Sequence, residues 1–124
     1  MSEKVILCDT NILINLFRYN DESTKQNLIG SIPIINIVSK FELLQGVKSK
    51  EDFQKISKAL KSFSIIPIND TISGIAESIF EKYLLSHYPS IPDMLIAATA
   101  IYYGVPLYTA NTKHFKFIAD LGLV

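Results

Sequence analysis

Short, almost wholly apolar runs recur along this chain, each broken off by turn formers and joined to the next by stretches with helical spacing. That alternation limits the fold more than any other feature. Residues 4–8 (K-V-I-L-C), 32–38 (I-P-I-I-N-I-V), 64–68 (S-I-I-P-I) and 107–109 (L-Y-T) read as strands. Strands that are apolar throughout are buried on both faces. Between helices, they form a parallel sheet covered on both sides. The expected fold is α/β with three layers, α/β/α, around a mainly parallel sheet of four or five strands. Pro33 fits only near the start of its strand, and Pro67 puts the third strand at an edge or leaves its pairing incomplete. Helices are expected over residues 12–19, 22–29, 39–47, 51–62, 71–87, 93–103 and 113–120. The closing Leu121-Gly122-Leu123-Val124 leaves room for at most a minimal fifth strand.

A length of 124 residues suits one domain spanning 1–124, and with 48% apolar residues the chain can fill a core. Twelve basic residues balance twelve acidic ones, which excludes a surface that is basic all over but not a local basic patch. A single cysteine makes no intramolecular disulfide, and Cys8 reads as a buried hydrophobe. The opening M-S-E-K lacks the pattern of a secretory leader. The longest apolar stretch, 94–108, is too short and too broken by Gly104 and Pro106 to span a bilayer. A cytoplasmic protein is expected.

Ligands of parallel α/β folds bind at the C-terminal edge of the sheet. Asp9 ends the first strand and Glu42 lies in the first turn of the helix after the second, so both belong there. The helix carrying Asp93 turns tightly through Gly104-Val105-Pro106 into the last strand. It must run antiparallel to that strand, which brings its beginning to the same edge. Asn111 emerges from that strand's end. Each position has a plain structural explanation as well. Asp9 and Asn11 are ordinary helix caps, Ser39-x-x-Glu42 has the form of a capping box, and Ser90-Ile91-Pro92-Asp93 is a good helix start. The group carries more weight than its members, because carboxylates gathered at one edge repel one another unless a cation sits among them. Their hard oxygens suit Mg²⁺ or Mn²⁺. Such an ion supports phosphodiester hydrolysis without Ser, Cys or His. Zinc is disfavoured, since His87, His114 and Cys8 lie far apart in sequence; both histidines are expected at or near the surface.

Four segments carry a resemblance. C-D-T-N-I-L-I, S-K-F-E-L-L-Q-G, I-P-D-M-L-I-A-A-T-A and Y-T-A-N-T-K-H-F resemble, in order and spacing, the PIN-domain ribonucleases, above all the VapC-type toxins of toxin–antitoxin pairs. The resemblance implies a PIN-like fold and a Mg²⁺- or Mn²⁺-dependent endoribonuclease. Asp9, Glu42 and Asp93 would gather the metal, with Asn111 completing the catalytic set. Thr10 and Asn11 would shape the loop around Asp9, Thr109 would position Asn111, and Lys113 would meet the RNA. It further implies a homodimer held inactive by a small antitoxin whose tail enters the acidic cleft. Many relatives carry a fourth acid at the place of Asn111 or of His114; a neutral residue there binds a second metal more weakly.

Lys55, Lys58 and Lys61, and Lys113 with Lys116, could meet phosphates, the first three equally well forming a solvated helix face. Tyr102, Tyr103 and Tyr108 could stack on bases or pack in the core. A dehalogenase-type phosphatase needs a second acid where Asn11 stands. A phosphoacceptor receiver needs an added acidic pair and a late lysine. Neither G-x-G-x-x-G nor G-x-x-x-x-G-K-[ST] occurs, which disfavours dinucleotide and P-loop binding. The alternative of another class is a catalytically silent PIN-like domain that binds RNA or protein at the same edge.

Overall fold

The structure, a computed structural model, describes residues 4–124. The opening Met-Ser-Glu, part of the segment read for a leader, lies outside the described residues. Four strands, β1 (Lys4–Cys8), β2 (Ser31–Asn36), β3 (Ser64–Ile66) and β4 (Leu107–Tyr108), form one sheet in the order β3-β2-β1-β4. Every pairing is parallel. β3 is an edge strand, and it ends where Pro67 withdraws a donor. Beyond β4 the chain end adds one parallel bridge, Leu107 to Leu123, as the minimal fifth strand.

The period-two alternation of the strands divides the core between the two faces. Leu7, Ile34 and Leu107 pack with Met94, Ala97, Ala100, Phe115 and Ile118 on one side. Ile6, Cys8 and Ile35 pack with Ile12, Leu13, Leu43, Ile56 and Leu60 on the other. The first side is covered by α5 (Asp70–His87) and α6 (Ile91–Tyr103), the second by α1 (Thr10–Phe17), α3 (Ile37–Gln45) and α4 (Lys50–Leu60); α2 (Glu22–Leu28) leads into β2. Three layers result. Ala97, Ala98 and Ala100 are buried along α6 and allow close approach to the sheet and to α5. Gly104, with φ 65°, ends α6 in the left-handed conformation that glycine adopts most easily, and the chain turns at once into β4.

Two expectations about elements need correction. The second strand stops at Asn36, and Ile37 and Val38 open α3; the Asn36 side chain accepts from Val38 N at 2.7 Å and starts the helix early. The segment after β4 is not a regular helix over 113–120. Only Thr112–His114 form a 3-10 turn, and further i→i+3 bonds carry the chain to Leu121. This tighter path buries Phe115 and Ile118 against the sheet face three residues apart.

Candidate active site

Because all strands run the same way, their C-terminal ends share one edge, and the carboxylates reach it from three elements. Asp9 follows β1 directly, and its N–H still pairs with Tyr108 O at 2.9 Å. Its side chain is only 5% exposed, so each oxygen needs donors. Oδ1 accepts from Thr10 N at 2.8 Å, the helix-capping bond. Oδ2 accepts from Thr109 Oγ1 at 2.8 Å and Asn11 Nδ2 at 3.3 Å. Asp9 is therefore a cap through one oxygen, while the other is held by the loop after β4.

The same loop is tied down twice more. Asn111 N donates to Thr109 Oγ1 at 3.0 Å, and Ala110 N donates to Asn11 Oδ1 at 3.1 Å. Thr10, Asn11 and Thr109 thus act as fixings around Asp9, and the Asn111 side chain is left exposed at the rim.

Glu42 sits in the second turn of α3, because the helix starts at Ile37. The capping box expected at Ser39 does not form. Glu42 Oε1 accepts instead from Thr10 Oγ1 at 2.7 Å, and Ser39 Oγ is buried without a hydrogen-bond partner. Asp93 lies in the first turn of α6, its N–H capped by Ser90 Oγ at 3.1 Å. Asp93 Oδ2 faces His114 Nδ1 at 3.2 Å. His114 and Lys113 are both exposed beside it.

Asp9 feels the other two carboxylates. Burial pushes the Asp9 carboxyl above its ordinary range; the bonds from Thr109 and Thr10 pull it down, and the charges of Asp93 and Glu42 push it up again. Burial, with the adjacent Asp9 charge, pushes the Cys8 thiol up to about 12. Cys8 is a packing residue with no thiolate to offer.

Among the described residues, no three His, Cys, Asp or Glu side chains stand together at metal-ligating distance. Glu42 is turned toward Thr10 and Asp93 toward His114. Glu42 Oε2 and Asp93 Oδ1 take no part in those bonds. A buried carboxylate under repulsion from two others, with hard oxygens on all three, fits a divalent cation such as Mg²⁺ or Mn²⁺ in its chemistry.

The sequence matches the PIN domain over residues 6–121, which takes in all four sheet-edge residues. The chain belongs to the PIN-domain family. Among relatives of this PIN domain, Ribonuclease VapC1 of Methanocaldococcus jannaschii is 30% identical over 98% of the chain and 86% of its own length. Ribonuclease VapC of Rickettsia bellii is 35% identical over 94% of the chain and 92% of its own. Among solved structures, a toxin–antitoxin complex from Klebsiella pneumoniae aligns with a TM-score of 0.80 at 31% identity over 94% of each chain. VapBC2 from Rickettsia felis, bound to a DNA fragment from their promoter, aligns with a TM-score of 0.84 at 25% identity over 97% of each.

Three relationships in this PIN domain were not anticipated from sequence. Thr10 links Asp9 to Glu42, and His114 meets Asp93. Asn36, fully buried, donates from Nδ2 to Thr99 Oγ1 at 2.7 Å and ties β2 to α6. Its signal was present: a polar residue inside the apolar run I-I-N-I-V needs a partner. Of the tyrosines that could stack on bases or pack in the core, Tyr102 and Tyr103 are exposed and Tyr108 is half-buried. Tyr102 and Tyr103 pack edge to face at the end of α6 remote from Asp93, and Tyr108 Oη accepts from Asn27 Nδ2 at 2.9 Å. Lys55, Lys58 and Lys61 line the exposed side of α4. No helix of the described residues is long and apolar enough to cross a membrane.

Proposed function

We propose that this PIN domain is a Mg²⁺- or Mn²⁺-dependent endoribonuclease that acts as the toxin of a toxin–antitoxin pair. The observation that carries the reading is Asp9, buried at the end of a central strand and under the charges of both Asp93 and Glu42. Relatives named Ribonuclease VapC support RNA as the substrate, and the toxin–antitoxin complexes among its structural neighbours support an antitoxin partner. A divalent ion at this edge would acidify water and neutralise charge developing on a phosphoryl oxygen.

The chain's own residues prepare that edge. Thr109 and Asn11 aim Asp9 Oδ2, and Thr10 aims Glu42. His114 orients Asp93. Asn111, held by its backbone on Thr109, offers a neutral amide at the rim. Lys113 supplies a positive charge beside the acidic centre for an RNA phosphate. An acidic edge of this kind also suits a basic antitoxin tail, and a homodimer belongs to the same proposal.

Cleavage of total RNA with Mg²⁺ or Mn²⁺, with EDTA, and by Asp93→Asn tests the reading. Metal-dependent cleavage that Asp93→Asn abolishes is the expected result. Equal cleavage by the parent and the variant would replace it with the silent RNA- or protein-binding module. Asn111, neutral where many relatives are acidic, and the engagement of Glu42 by Thr10 and of Asp93 by His114 favour that second reading. Sedimentation of the purified chain decides the homodimer.

A further inference from the structure

Beside Asp93 lies a cavity of about 220 Å³ whose walls are unlike the acidic edge itself. His87, Tyr88 and Phe117 line it together with Lys113, His114 and Asp93. The volume is below the roughly 300–1,000 Å³ of typical drug-sized ligand sites and suits a single planar ring system. Its aromatic wall is already assembled. The His87 imidazole stacks on Phe117 with centroids 4.1 Å apart and planes 13° apart, and Tyr83 meets Phe117 edge-on at 5.0 Å. Ser86 Oγ, 2.8 Å from His87 Nδ1, holds the ring's orientation and leaves Nε2 as its second polar atom.

Tyr88 is the unusual member. It terminates α5 with φ 47° and ψ 55°, the left-handed conformation in which glycine is the common helix terminator. A tyrosine there holds a large ring 80% exposed at the mouth of the cavity. Neither helix termination nor core packing requires that ring.

We propose that this cavity seats a nucleobase of single-stranded RNA adjoining the phosphate at the carboxylates. Tyr88 and the His87–Phe117 pair are its stacking surfaces, and Lys113 is the contact to the neighbouring phosphate. The inference deepens the ribonuclease reading and rests on it for the choice of RNA. Unpaired bases stack on aromatic side chains whatever their identity, and RNA readers use such platforms on splayed single strands. The arrangement places aromatic rings and a cation around one small volume, which complements the base and the phosphate of one nucleotide step.

The test is equilibrium binding of a short fluorescent single-stranded RNA in EDTA, where metal-assisted cleavage does not run, alongside the same oligomer built of abasic residues. Tyr88→Gly should weaken binding of the base-bearing RNA about tenfold. It should not lower Tm, because glycine relieves the left-handed backbone. Tyr88→Trp should retain parental affinity. The abasic oligomer should bind parent and Tyr88→Gly alike. Lys113→Ala should weaken both oligomers and reduce the salt slope by about one. Affinity of Tyr88→Gly within about twofold of the parent, or an equal loss with the abasic oligomer, overturns the base pocket. A parent that cleaves RNA while Tyr88 is indifferent keeps the ribonuclease reading and loses the pocket. A parent that discriminates the two oligomers through Tyr88 but never cleaves keeps the pocket and loses the ribonuclease.

Discussion

Thr109 Oγ1 donates to Asp9 Oδ2 at 2.8 Å across 100 residues of sequence, and the same oxygen accepts from Asn111 N at 3.0 Å. One hydroxyl thus fixes both the buried carboxylate and the loop that bears Asn111. Thr109→Val keeps the shape and removes the donor and acceptor together. Destabilisation of about 1–3 kcal/mol is expected in urea unfolding, because a buried carboxylate oxygen loses a partner. RNA cleavage should fall as well, and Thr109→Ser should restore both. A valine variant with parental stability and activity would show that the bond fixes neither group.

Asp9 makes the fold pH-sensitive in a stated direction. Burial first, then Asp93 and Glu42, raise its carboxyl above the unfolded value of about 3.9. The folded state therefore binds more protons between the unfolded and folded pKa values. Stability falls as pH rises through that window and stays lowered above it. Asp9→Asn removes this dependence, so its stability relative to the parent should rise from pH 3 to pH 7 while cleavage is lost. Mn²⁺ should raise the parent's Tm at neutral pH and leave the variant's unchanged. A parent–variant difference that stays constant with pH would contradict a raised Asp9 carboxyl.

Glu42 depends on Thr10, whose hydroxyl donates to Oε1 at 2.7 Å. Thr10→Val leaves the backbone bond to Asp9 intact and frees the Glu42 side chain. The metal concentration giving half-maximal cleavage should rise roughly 10-fold, in line with the loss of a group that orients a ligand. If it does not move, Thr10 has no part in presenting Glu42.

Asn36 and Thr99 form a buried polar pair between β2 and α6. Thr99→Val should cost about 1–3 kcal/mol, since Asn36 Nδ2 is left without its acceptor. Asn36→Ala should cost about 2 kcal/mol, mainly through loss of the cap on Val38. The Thr99 hydroxyl keeps its bond to Leu95 O, at 2.8 Å. Chemical denaturation measures both, and a change below about 0.5 kcal/mol in either would mean that the pair adds nothing beyond its packing.

Short sequence signals carried β1 and the tight turn from α6 into β4, and Pro67 left β3 either at an edge, where it lies, or incompletely paired. These are local properties: apolar runs, a proline, a glycine after a helix. The same logic placed Asp9, Glu42, Asp93 and Asn111 at one edge, because parallel strands can end only on one side of a sheet. Local rules failed where two caps competed. Ser39-x-x-Glu42 matched a capping box, yet Asn36 lies three residues earlier and is itself a strong cap, so α3 starts there and Glu42 is released toward Thr10. The helix expected over 113–120 failed for a related reason. Burying Phe115 and Ile118 against the sheet outweighed helix propensity in a short segment.

Chain order and residue pattern determined the layered fold and the side of the sheet on which the acids gather. Tertiary structure decided what each acid contacts there. Thr109 reaches Asp9 from the far end of the chain, Thr10 takes Glu42 and His114 takes Asp93. His87, Tyr88 and Phe117 join Lys113 around a cavity that no sequence spacing announces. The reason is physical: periodicity records which face of an element is buried, whereas hydrogen bonds and stacked rings depend on which elements meet across the sheet edge.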